Sequence, residues 1–164
     1  MEETPLSNKL AALALAITDA TLAETDDLAP TAVAALITIR DREPMSIGEI
    51  AHVVGLSHSA AVRLVDRLEK DWLVRRQRRI GREVMVEITA RGRRRAQQLQ
   101  ENRMKAVADF LSGLKPDQQF GLNELIDRII LERANGDTMI VGQFCRMCDR
   151  NGCNCGLHNE AERA

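Results

Sequence analysis

A chain of 164 residues suits one compact domain with an appended arm, and it can bury roughly two-thirds of its unfolded surface without a covalent staple. Aromatic residues make up only 2% of it and tyrosine is absent, which removes the stacking platform that single-strand nucleic-acid binders need. The formal net charge of -1 conceals a separation: 12 of the 23 Lys and Arg residues lie between Arg63 and Arg95 among only five acids, on an otherwise acidic body, a pattern that attracts a polyanion locally, best a duplex.

The start, Met1-Glu2-Glu3-Thr4-Pro5, lacks the basic residues of a secretory signal, and the longest apolar run, Leu10 to Ile17, falls short of the about 20 residues that span a bilayer. A cytoplasmic protein without membrane attachment is expected. In chain order, Leu6, Leu10, Leu13 and Ile17 recur at helical spacing, and Asp26, Asp27 and Pro30 end that first helix. A second helix is predicted from about Thr31 to Arg40, closed by Pro44. Ser46 with Glu49 three positions on is a capping box, so a short third helix begins there, buries Ile47, Ile50 and Ala51, and ends at Gly55. Ser57 caps a fourth helix through about Lys70, with Ala60, Ala61, Leu64, Val65 and Leu68 on its inner face.

The period then changes to alternation. Leu73 to Arg79 and Glu83 to Ile88 read as two strands joined near Gly81, the arginine-studded wing of a winged helix-turn-helix. A long helix follows from Ala90 to about Leu114, and Pro116 opens another whose apolar stripe is Leu122, Leu125, Ile126, Ile129 and Ile130. The fold class is mainly α with a small β-hairpin wing. Its organisation reads as an N-terminal dimerisation helix (1–30), a winged helix-turn-helix (31–89), a connecting helix and C-terminal dimerisation helix (90–134), and a cysteine-rich tail (135–164).

Ser46-Ile47-Gly48-Glu49-Ile50-Ala51, Gly55-Leu56-Ser57-His58-Ser59, Val62 to Lys70, Leu73-Val74-Arg75-Arg76, Ile88-Thr89 and Gly92-Arg93 together resemble the MarR (multiple antibiotic resistance regulator) transcription factors over roughly residues 6 to 134. The resemblance implies an obligate homodimer with intertwined first and last helices, the fourth helix of each subunit in a major groove and each wing at the flanking minor groove. It also implies that Arg82 matches the family's minor-groove arginine, although the Asp that usually orients it is missing. Where the family usually has Gly after the recognition helix, this chain has Trp72. Asp71 or a different turn is expected to replace the glycine cap, and Trp72 to pack as core against the wing's base. His52 is expected to be a partly buried structural residue.

The start of a recognition helix approaches base edges, so Ser57, His58, Ser59, Val62 and Arg63 are the candidate base contacts, with Arg able to read guanine bidentately and Val able to meet a thymine methyl. Arg67, Arg75, Arg78 and Arg79 are the candidate phosphate contacts, which hold register without reading sequence. Small-molecule, metal or oxidant effectors are all compatible with such a regulator.

The tail adds Cys145, Cys148, Cys153, Cys155 and His158 within 14 residues. In a reducing compartment such a cluster points to metal or redox chemistry, and a four-sulfur tetrahedron suits zinc, with another thiophilic metal as the variant. The spacing is not a standard finger, and three readings stand: a structural zinc clip, a metal or thiol switch coupled to DNA affinity, or unused thiols. No constellation of paired carboxylates, activated nucleophile or phosphate loop suggests an enzyme. The alternative class is a zinc-stabilised interaction module without sequence-specific DNA binding, which leaves the basic wing unexplained.

Overall fold

Local signals set most element boundaries. The computed structural model describes residues 5–23, 25, 28–78, 83–149 and 153. Helix α1 runs Pro5–Ala23 and α2 Pro30–Arg42, the latter with proline at its first turn, where a missing N–H costs nothing. Strand β1 is the pair Met45–Ser46. Helix α3, Ile47–Val54, opens on the expected capping box: Glu49 N–H donates to Ser46 Oγ at 3.2 Å, and Ser46 N–H donates to the Glu49 carboxylate at 2.6 Å. Gly55 ends it in the left-handed region at φ 70°, where a side chain would be strained.

Helix α4 runs His58–Lys70, followed by β2 (Val74–Arg78), β3 (Val84–Ile88), α5 (Ala90–Leu111), α6 (Pro116–Ala134) and α7 (Thr138–Phe144). The strands form an antiparallel sheet in the order β1-β3-β2, with Met45 opposite Val86 and Val74 opposite Ile88. Alternation along β3 turns Val86 and Ile88 into the core and leaves Met85 and Glu87 half-buried.

The main core is centred on α2, where every residue from Ala32 to Ile39 is buried. Leu36, Ile37 and Ile39 meet Ile50 of α3, Val65 and Leu68 of α4, Val74 and Val86 of the sheet and Leu99 of α5. Each such side chain contributes about 1.5–3 kcal/mol by leaving water. This core is what holds α4 and the hairpin in one fixed relation.

The two outlying helices are different. In the single chain α1 exposes Leu6 (72%), Leu10, Leu13 and Leu15, and α6 exposes Phe120 (66%), Leu125, Ile126 and Ile129. Helix α7, unforeseen in the sequence, folds back so that Val141 and Cys145 are buried with Ala134 in a small second cluster. Among the described residues, no helix is long and apolar enough to cross a membrane.

Candidate nucleic-acid interface

Helix α4 separates its faces cleanly. Ala61, Leu64, Val65 and Leu68 are buried, while Ser57, His58, Ser59, Arg63, Asp66, Arg67 and Lys70 are exposed and Val62 is half-buried. The helix begins at Ser57, whose Oγ accepts from Ala60 N–H at 3.3 Å and lies 3.3 Å from Ser59 Oγ. Ser57 therefore spends one lone pair on the cap, and since one hydroxyl proton lies between Ser57 and Ser59, the other remains for a ligand. Ser59, Arg63, Arg67 and Lys70 recur every three or four residues, so they form one stripe along the outer face.

The hairpin is bolted to this helix by Arg76, a residue the sequence did not single out. Its backbone N–H donates to the Glu69 carboxylate at 3.0 Å, and its guanidinium pairs with Glu69 and, at 2.5 Å, with Asp66. Burial works against the Arg76 charge, yet the hydrogen bonds and charges of Asp66 and Glu69 outweigh it and hold the pKa above the usual guanidinium value. Two of the acids of the basic stretch are thereby neutralised. Arg75 sits opposite Glu87 and pairs with it at 3.1 Å, while its side chain stays 63% exposed. Arg78 closes β2 opposite Val84. The Arg78 side chain, Arg79 and Arg82 lie outside the described residues.

Two expectations are corrected. Trp72 is not core but 74% exposed, and it is itself the left-handed residue, at φ 59°, in the position where glycine is usual. Its N–H donates to Glu69 O at 3.0 Å and Leu73 N–H to Leu68 O at 2.9 Å, so the helix end is satisfied by the backbone while Trp72 bears the strain. His52 is exposed rather than partly buried.

The wing's root is tied to α5. Leu73 O accepts from Thr89 N–H at 3.0 Å, the Thr89 hydroxyl shares its one proton between Trp72 O at 2.7 Å and Leu73 O at 3.1 Å, and the same hydroxyl caps α5 by accepting from Gly92 N–H. Glu43 joins the same corner, accepting from Ile88 N–H at 2.8 Å and pairing with Arg93. The basic stretch is thus divided: Arg91, Arg94 and Arg95 do not join the α4 stripe but line a cavity of about 500 Å3 with Leu28, Asp71, Leu73 and Gln98.

Of the cluster expected to bind metal, Cys145 is 6% exposed, Cys148 and Cys153 are half-buried, and none of the three is in a disulfide. Cys155 and His158 lie outside the described residues. Among the described residues, no three His, Cys, Asp or Glu side chains gather as a metal cage. The segment is nonetheless seated: Thr38 Oγ1 donates to Arg146 O and Arg103 Nη1 to Met147 O, each at 3.2 Å. Burial pushes the Arg103 pKa down, which neighbouring Cys148 opposes and Arg146 reinforces.

A family model described as MarR matches residues 28–80, the stretch that carries α2, the helix-turn-helix and the first wing strand. These residues form a MarR-family domain. Solved structures agree on the fold well beyond it. A MarR family protein from Bacillus stearothermophilus is 21% identical, covers 79% of this chain and 93% of its own, and superposes with a TM-score of 0.72. MarR from Escherichia coli, in its apo form, is 19% identical over 79% of this chain and 99% of its own, with a TM-score of 0.66. MepR, a transcription regulator of the Staphylococcus aureus multidrug efflux pump MepA, is 13% identical over 79% and 98%, with a TM-score of 0.67. None of the curated proteins compared with the chain matches it in sequence. The MarR-family domain here keeps the winged-helix fold while departing at Trp72.

Proposed function

We propose that the protein is a homodimeric transcriptional regulator of the MarR type that binds a pseudo-palindromic operator in duplex DNA and acts as a repressor by occupying it. The observation that carries this reading is the exposed stripe Ser59, Arg63, Arg67 and Lys70 on a helix clamped through Arg76 to an arginine-rich hairpin. In this reading Ser57, His58, Ser59, Val62 and Arg63 face base edges, Arg67, Arg75, Arg78 and Arg79 face phosphates, and Arg82 reaches the minor groove. The large apolar side chains that α1 and α6 leave in solvent support a second copy as their partner, since a monomer rarely leaves so many large apolar side chains of two helices wet. Three guanidinium groups against the single carboxylate of Asp71 around one cavity suit a small anionic effector. The cysteine cluster binds zinc or another thiophilic metal through thiolates, beginning with Cys145 and Cys148.

Selection from a random duplex pool tests the DNA reading: enrichment of a two-fold repeat whose half-site centres lie about 34–36 Å apart, or a multiple of that, supports it. An unenriched pool contradicts it. Metal analysis of protein purified under reducing conditions tests the cluster, with bound zinc expected in the parent and lost from a Cys145→Ser, Cys148→Ser variant.

A further inference from the structure

We propose that the corner between the end of α4 and the start of α5, formed by Trp72 and the arginine-lined cavity beside it, is a docking surface for an acidic segment of another protein. Trp72 is the chain's only tryptophan, and the fold puts it where it does least for the chain itself. It is 74% exposed, so little of the indole leaves water, and at φ 59° it takes the left-handed conformation that glycine adopts without strain. Its N–H donates to Glu69 O and its carbonyl accepts from the Thr89 hydroxyl, so the backbone that carries the indole is fixed from both sides. Strain and exposure are both unfavourable to the isolated chain, and glycine at this position would avoid both. A contact outside the chain accounts for the tryptophan, which is among the side chains that most often sit at the energetic centre of protein interfaces.

Charge selects the partner. Asp71 and Leu73, the chain neighbours of Trp72, line a cavity of about 500 Å3 together with Arg91, Arg94 and Arg95, so three guanidinium groups face one carboxylate. Arg91 and Arg94 are exposed and have no hydrogen bond or ion pair among the described residues. A guanidinium offers a planar fork that a carboxylate fills with two parallel hydrogen bonds. An aromatic anchor beside this excess of positive charge fits a segment in which Asp or Glu accompanies an apolar side chain. The guanidinium groups alone would suit a small anion; Trp72 next to them suits a partner larger than the cavity. The corner is also set apart from the surface assigned to DNA. The 13 residues of α4 place Trp72 about 20 Å along the helix from its Ser57 end, and the five residues of β2 carry the chain about 17 Å from the corner towards the hairpin tip. A duplex held by the start of α4 and the tip leaves the corner open.

The test uses the full chain and a random displayed-peptide library as the probe, with capture run both without DNA and under saturating random duplex. Peptides enriched in both arms are expected to carry Asp or Glu beside apolar residues. Synthetic copies are titrated by Trp72 emission, which no second tryptophan and no tyrosine obscures, and by anisotropy of the labelled peptide for variants without Trp72. Emission should move to the blue as the indole leaves water. Trp72→Gly, and separately the pair Arg91→Gln with Arg94→Gln, should each weaken the peptide about ten-fold or more, Trp72→Phe should weaken it less than Trp72→Gly, and all should keep the parent's duplex affinity. Because Trp72→Gly relieves strain, docking lost from a chain at least as stable as the parent marks a broken contact and not a folding defect. Failure to enrich acidic peptides overturns the proposal, as does a peptide that binds Trp72→Gly as tightly as the parent. If free glutamate at equal concentration gives the same emission shift, the cavity is a small-anion site and the docking surface is wrong. If duplex abolishes the capture, or the variants lose duplex affinity, the corner belongs to the DNA interface and the proposal fails.

Discussion

Gly92→Ala should uncouple the wing from α5. A Cβ at Gly92 would lie 1.9 Å from Leu73 O and 2.9 Å from Ile88 Cγ1, against a normal carbon–oxygen approach of about 3.3–3.6 Å. One of the two backbones must move by more than about an ångström, and Leu73 O cannot move without stretching both hydrogen bonds it accepts from Thr89. Losing the N–H bond costs about 1 kcal/mol, since the hydroxyl keeps Trp72 O, and overpacking a tight site adds about 1–3 kcal/mol, so the variant should lose about 2–4 kcal/mol. With a urea slope of about 2 kcal/mol/M, the midpoint should fall by about 1–2 M, measured at one fixed protein concentration. Gly48→Ala is the control: its Cβ would meet nothing nearer than Ser46 Oγ at 3.8 Å, so it should be neutral or stabilising by up to about 1 kcal/mol. A loss below about 1 kcal/mol for Gly92→Ala would refute the reasoning that this junction is rigid.

Three further outcomes are expected. Arg63→Ala should weaken a selected operator by about 1–3 kcal/mol and random duplex far less, as read by parallel titrations; equal losses would reassign Arg63 to a phosphate. Trp72→Gly should stabilise slightly in urea titration, because relief of about 1–2 kcal/mol of left-handed strain exceeds the extra chain entropy of glycine, about 0.5–1 kcal/mol; a loss above about 1 kcal/mol would mean that Trp72 makes a packing contact. Arg76→Met should cost about 1 kcal/mol after discounting for the solvent around Asp66 and Glu69, and should raise hydrogen exchange at the start of β2, whereas unchanged exchange would deny Arg76 its bracing role.

The elements legible in the sequence are those specified by their own neighbours. Ser46 and Glu49 announce α3 within four residues, Gly55 ends it, and the alternation through Val84, Val86 and Ile88 marks a strand whatever it pairs with. Strand β1 was not legible because two residues carry no period; Met45–Ser46 becomes a strand only by pairing with Val86 and Met85, forty positions away. Trp72 misled because its apolar character suggested burial, whereas the chain's need for a left-handed residue after α4 decided its conformation and it ended exposed. In the tail, α7 carries among its described residues only one helically spaced pair that is buried, Val141 and Cys145, four apart, too short a period to mark a helix until Ala134 is there to pack on. On the candidate interface, the outer face of α4 followed from the positions of its apolar residues. The Arg76 brace did not, since nothing local distinguishes Arg76 from Arg75; only the register against Glu87 and the nearness of Asp66 and Glu69 do.

The central claim, that the α4 stripe and the hairpin arginines together grip duplex DNA, is tested most directly by the salt dependence of affinity for a selected duplex. Each phosphate neutralised contributes about -0.9 to the slope of log affinity against log salt, so six or more contacts from two subunits should give a slope steeper than about -5. A slope near zero, at whatever affinity, would contradict it.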